Sequence, residues 1–142
     1  MSDLPAEIAC QQVLQRMFHS IDLRDYETVA QQFVAEPHWV RQGQTLKSRP
    51  EIVAAMKARP ESLFTFHILT SVWVESTGAD KAKARAYMTV FRKDSGKVQT
   101  PPLAMTVPDM IVVTNAEFRR EGGRWLISKL GTEPGFLVKP AS

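Results

Sequence analysis

A single cysteine, Cys10, is the whole thiol content of this 142-residue chain, which excludes an internal disulfide and a zinc site built from several cysteines. In a helical setting it reads as a buried thiol. Histidine is also scarce. The three present, His19, His38 and His67, follow no spacing that would gather them with carboxylates around one metal ion, so neither a metal nor a cofactor is expected. No apolar run is long enough to span a bilayer, and the opening Met-Ser-Asp-Leu-Pro-Ala-Glu lacks the basic start and apolar core of a secretion signal. The expectation is a cytoplasmic protein with no membrane partner. Charge of one sign is missing too: 18 basic residues stand against 15 acidic ones, interspersed, for a net +3. That is a weak attraction for anions and no footprint for nucleic acid. A glycine-rich phosphate loop and a nucleophile elbow with Ser-His-Asp order are absent as well.

What remains is the composition of an ordinary globular protein, 44% hydrophobic and 23% charged, of a length that fits one domain over 1–142. The most informative stretch runs from Phe64 to Ser76. Its β-branched and aromatic residues alternate with a period of two, which predicts a strand with Phe66, Ile68, Thr70, Val72 and Val74 on one face and His67, Leu69, Ser71 and Trp73 on the other. His67 is the only histidine set among long apolar neighbours.

Ahead of that strand the period is helical. Asp3-Leu-Pro5 signals a helix start, and Cys10, Leu14, Met17 and Ile21, widened by Val13 and Phe18, form an apolar stripe that ends near Asp22. Asp25 caps a second helix whose face is Tyr26, Val29, Ala30 and Phe33, and Pro37 is read as its end. His38 to Arg41 is a short strand entering a turn at Gly43 and Gln44. Ser48-Arg-Pro-Glu51 is a capping box for a third helix, carrying Ile52, Val53 and Met56 and closed by Pro60. Further strands are expected at Lys81 to Lys93, Met110 to Arg120 and Arg124 to Leu130, with turn chemistry at Asp94-Ser-Gly96 and Glu121-Gly-Gly123. Pro101, Pro102 and Pro108 make 98–109 an edge segment or a loop over one end of the sheet. Helices first and an antiparallel meander afterwards is an α+β pattern, with room for a hollow between helices and sheet.

The order of these motifs resembles the SnoaL-like family of the nuclear transport factor 2-like superfamily: helix, turn, helix, Trp39 then Gly43, the Ser-Arg-Pro-Glu-Ile helix, Phe-His-Ile-Leu-Thr, and a closing Ala-Glu-Phe-Arg-Arg-Glu-Gly-Gly-Arg-Trp hairpin. The resemblance implies a cone, a strongly curved antiparallel sheet that three N-terminal helices close around a pocket. The chain is also similar to a narrower group, scytalone dehydratase, bile-acid dehydratase and a dehydrochlorinase, which carry an aspartate after the first helix and a histidine on the strand after the third. Those positions fall on Asp22 and His67. In that group the histidine is a general base in eliminations and the aspartate orients it. Elsewhere the chain departs from the pattern: Ile21 replaces a tyrosine, Met17 a lysine and Leu130 an arginine, and no second pocket histidine follows Lys81.

From spacing alone, the favoured reading is a solvated turn acid between two helices for Asp22 and a satisfied core histidine for His67. With the resemblance, the expectation is a cofactor-independent lyase or isomerase that removes a proton from a small hydrophobic substrate, cyclic ones included, through His67 backed by Asp22. Tyr87 is a candidate donor to an oxyanion, and Asn115 and Ser71 are candidate donors to a carbonyl. Trp39, Trp73, Phe64 and Met56 are candidates for the apolar wall. Two alternatives stand beside the enzyme. One is a non-catalytic protein that binds a small ligand in the same pocket, and the other an assembly subunit resembling the small subunit of a ring-hydroxylating dioxygenase. A homodimer or homotrimer is expected in each case, with Gly135 to Val138 reaching a neighbour.

Overall fold

The computed structural model describes residues 4–105 and 107–138. Helix α1 spans Ala6–Asp22 and begins directly after Pro5, which occupies the cap position with no side-chain cap; Asp3 lies outside the described residues. Its stripe of Cys10, Leu14, Met17, Phe18 and Ile21 is buried, each large side chain contributing about 1.5–3 kcal/mol. Burial, reinforced by Glu7, pushes the Cys10 thiol up to about 12. At mildly alkaline pH it therefore stays a protonated, shielded thiol. A disulfide reagent added to the native protein should label no cysteine, and labelling should appear only on unfolding; rapid native labelling would place Cys10 outside the core.

Helix α2, Tyr26–Gln31, is capped by Asp25, which accepts from the Thr28 N–H and hydroxyl. It is shorter than the sequence suggests. Phe33 already belongs to strand β1, Phe33–Arg41, where its ring stacks on Trp39 at 5.2 Å. Pro37, read from the sequence as a helix stop, lies within β1 at a register shift between Phe33 and His38, a place where a missing N–H costs the ladder nothing. The turn into β2, Gln44–Leu46, uses positive φ at Gln42 and Gly43, so Gln44 is a strand residue and not a turn residue. Helix α3, Arg49–Lys57, has the Ser48 cap expected of it, and Glu51 accepts from the Lys47 N–H at 2.5 Å.

Strands β3, Leu63–Gly78, β4, Lys81–Asp94, β5, Met110–Glu121, and β6, Arg124–Leu137, complete a curved, unclosed six-stranded sheet in the order β2-β1-β6-β5-β4-β3. Four pairings are antiparallel; β1 and β6 run parallel. Asp94-Ser-Gly96 does not close a hairpin. Asp94 accepts from the Gly96 N–H at the start of a longer connection, which runs over Phe64, Phe66 and Phe91 at one end of the sheet and is held by Lys93 donating to the Ala104 carbonyl. Strand β6 continues beyond Leu130 because Gly135 allows a close approach: a Cβ there would lie 2.9 Å from the Ile111 carbonyl oxygen.

The period-two reading of β3 holds only as far as Thr70. A bulge between Thr70 and Trp73, with Ser71 at φ 52°, shifts the phase by one residue. Val72 and Val74 therefore turn to the core side, and Trp73, expected beside His67, is 71% exposed on the outer face. Thr65, His67 and Leu69 stay on the inner face, towards α1.

Candidate active site

Asp22 is the last residue of α1, and the chain turns sharply behind it. Arg24, in the left-handed region at φ 60°, sends its guanidinium to the carbonyls of Pro60, Glu61 and Leu63 and to the Tyr26 hydroxyl. This ties the α1–α2 turn to the entry of β3 and so fixes Asp22 against the first inward residues of that strand. The Asp22 carboxylate takes three donors. Oδ2 accepts the His67 backbone N–H at 2.8 Å, Oδ1 accepts the Thr65 hydroxyl at 3.0 Å, and His67 Nδ1 lies 2.6 Å from Oδ1. The two side chains are 10% and 15% exposed, so this is a shielded pair and no surface salt bridge.

A carboxylate can only accept, so the neutral imidazole carries its proton on Nδ1 and presents a bare lone pair at Nε2. Nε2 has no hydrogen-bond partner among the described residues. The Phe18 ring, with its centroid 5.5 Å from that of the imidazole, packs beside it. Arg59 donates to the Thr65 hydroxyl at 2.8 Å and to the Ile21 carbonyl at 3.3 Å, bracing the aspartate from behind. Burial holds the Arg59 pKa below its ordinary value, with Tyr26 and Asp22 opposing and Arg24 adding to the shift.

His67 lines a cavity of about 200 Å³ whose apolar wall includes Trp39, Met56, Met88, Val90, Val112 and Phe18. A wider hollow of about 560 Å³ meets His67 from the side of α1, between Gln12, Gln15, Arg16, His19 and Leu69. The cavity thus brings Trp39 and Met56 to the histidine. The other sequence candidates lie elsewhere. Phe64 sits on the opposite face of the sheet under the proline-rich connection, edge-on to Phe66. Ser71 is exposed at the bulge. Tyr87 faces outward, opposite Thr70 and beneath Arg85, and Asn115 lies on that outer face beside Glu133. Strand parity decides these placements: on β4 and β5 the even-numbered residues from Ala82 to Val90 and from Val112 to Phe118 are buried, which leaves Tyr87 and Asn115 outside. Thr65, Arg41, Arg59 and Arg92 line the same cavity and are not among the sequence candidates. Thr65 had a signal, being two residues before His67 and therefore on its face.

Residues 2–131 match the profile of the SnoaL-like domain. The chain belongs to the SnoaL-like domain family. Among solved structures this SnoaL-like domain is similar to a hexachlorocyclohexane dehydrochlorinase, LinA type 2, at 19% identity and a TM-score of 0.76 over 94% of this chain and 88% of the other. LinA type 3 from Novosphingobium barchaimii gives 18% and 0.75 over 92% and 87%. A Nostoc punctiforme protein of unknown function with a cystatin-like fold gives 15% and 0.74 over 94% and 96%. These likenesses establish the fold of the SnoaL-like domain. No curated protein matches it in sequence.

Proposed function

We propose that this SnoaL-like domain is a cofactor-independent lyase or isomerase in which His67 is the general base and Asp22 its positioning residue. One observation carries the reading: the Asp22–His67 contact of 2.6 Å stands at the wall of an apolar cavity, with Nε2 left free of any described partner. In the proposed step Nε2 takes a proton from a substrate carbon made acidic by a neighbouring carbonyl or leaving group. The C–H electron pair then forms a new C=C bond while the leaving group departs with its own pair, or the proton returns to another carbon of the same conjugated system. Asp22 stabilises the imidazolium formed in between. The family membership and the dehydrochlorinase neighbours support elimination chemistry as the class. The test is exchange of acidic C–H protons with D2O, followed by NMR over a panel of small apolar carbonyl and β-substituted compounds. Exchange above the buffer rate that disappears in His67→Ala supports the base; exchange unchanged by the substitution removes it.

We also infer self-association, with a second copy of the chain on the outer face of the sheet. Ile68, Thr89, Ile111 and Phe136 stand in one row across four strands there, flanked by Phe66, Tyr87 and Val113. Phe66, Ile68, Tyr87 and Phe136 are 52%, 43%, 43% and 71% exposed, an apolar surface of the kind that marks an interface. Light scattering should give the mass of two or three chains, falling to one on the double substitution Ile68→Asp, Tyr87→Asp. A 16.0 kDa particle at every concentration would contradict this inference.

A further inference from the structure

The cavity beside His67 is apolar on one side and cationic on the other. Arg41 at the end of β1, Arg59 after α3 and Arg92 near the end of β4 all line it. Arg92 is paired across the ladder with Thr65, and Val90 with His67, so Arg92 stands one residue pair along the same inner face from the imidazole. Arg59 is engaged with Thr65 and Ile21, but Arg41 and Arg92 have no hydrogen bond or ion pair among the described residues. Arg41 rests over the Trp39 ring, 5.9 Å from its centroid. Asp109, exposed at the rim, is the one carboxylate in the lining. Burial first, then the Arg59 and Arg92 charges, holds the Arg41 pKa below its ordinary value; Asp22 acts on Arg59 and Asp94 on Arg92, each from outside the cavity lining.

Like charges gathered at a half-closed cavity cost stability unless something of opposite sign is brought to them. Guanidinium groups match a planar carboxylate in geometry as well as charge, and a ring behind one of them restricts its motion. We infer that the substrate is an apolar carboxylic acid, its carboxylate held by Arg41 and Arg92 at the cavity mouth and its hydrocarbon part directed inward to His67. This rests on the proposed function and narrows it to a substrate class. It also supplies what the missing tyrosine, lysine and last-strand arginine do not, a place for negative charge that grows next to the carbon losing its proton.

The experiment is a calorimetric comparison of matched pairs: phenylacetate, cinnamate and cyclohexanecarboxylate, each against its primary amide. At least one acid should bind about tenfold or more tightly than its amide. That preference should vanish in Arg41→Gln, Arg92→Gln, whose folding is verified by circular dichroism, and return in part in Arg41→Lys, Arg92→Lys, which restores charge without the planar fork. His67→Ala should keep the preference. Equal affinity of acid and amide, no binding by any pair, or a preference that survives the double glutamine substitution would each overturn the assignment. Displacement of the acid by equimolar inorganic phosphate would overturn it in favour of a phosphate ligand. Acid preference with no proton exchange sinks the catalytic reading alone, and exchange without acid preference sinks the substrate class alone.

Discussion

On the proposed mechanism, His67→Ala should lower the rate of substrate proton exchange by about 10²–10⁴-fold, the range in which a positioned general base contributes. The fold should stay in place. The imidazole is the basic nitrogen of the cavity lining and is held by a shielded carboxylate: Trp39, Val90 and Val112 offer no lone pair, the thioethers of Met56 and Met88 are weak acceptors, the lining arginines can only donate, and the Asp109 carboxylate lies exposed at the rim. The structural cost is small because the Asp22 carboxylate keeps two of its donors: the Thr65 hydroxyl, and the backbone N–H of residue 67, which an alanine also supplies. A loss of about 1–2 kcal/mol in urea unfolding is expected. Near-complete loss of exchange in a variant that unfolds almost normally separates a catalytic imidazole from a structural one.

The second large effect comes from Asp22, where two substitutions should part company. Asp22→Asn keeps one oxygen, which can still accept the His67 backbone N–H, but presents an amide N–H where Oδ1 faced the ring. That amide donates to Nδ1, so the imidazole turns to the tautomer protonated on Nε2 and the lone pair is withdrawn from the cavity. Exchange should fall by about 10²–10⁴-fold, as for the histidine variant, with a stability loss of about 1 kcal/mol. The double variant Asp22→Asn, His67→Ala should be no slower than His67→Ala alone, because groups that act as one unit do not add. Asp22→Ala instead strips the acceptor from the His67 N–H, the Thr65 hydroxyl and Nδ1 at once, at a cost of about 3 kcal/mol. Full exchange activity in Asp22→Asn would mean that the carboxylate holds the loop and nothing more.

How far the sequence could be read follows from which signals are local. The stripe of α1 and the Ser48 cap of α3 are written within a few residues each, and both elements stand where the pattern puts them. The hairpin of β5 and β6 is legible for the same reason, Gly122 and Gly123 taking the positive φ that its turn requires. Pro37 misleads because proline's meaning depends on context. It stops a helix, but here Phe33 is drawn into a strand by stacking on Trp39 and by pairing with Ile127 of β6, and the proline falls at the irregularity between them. The parallel β1–β6 pairing joins segments about ninety residues apart, which no local pattern encodes. Alternation predicts faces only while the ladder is regular. One extra residue at Ser71 carries Trp73 to the outside and leaves it far from the role its neighbour His67 suggested. The arginines of the cavity were illegible for a related reason: Arg41, Arg59 and Arg92 lie on three separate elements, and in the sequence each looks like a solvated charge.

The most direct measurement is a long-range ¹H–¹⁵N NMR spectrum of the His67 ring, above neutral pH, in a protein whose exposed His19 and His38 are replaced by glutamine. It needs no substrate. The expected ring carries its proton on Nδ1 and a bare, pyridine-type Nε2, and switches to protonation on Nε2 in Asp22→Asn. A ring already protonated on Nε2, or one whose tautomer is indifferent to Asp22→Asn, would contradict the claim that Asp22 prepares His67 as a base.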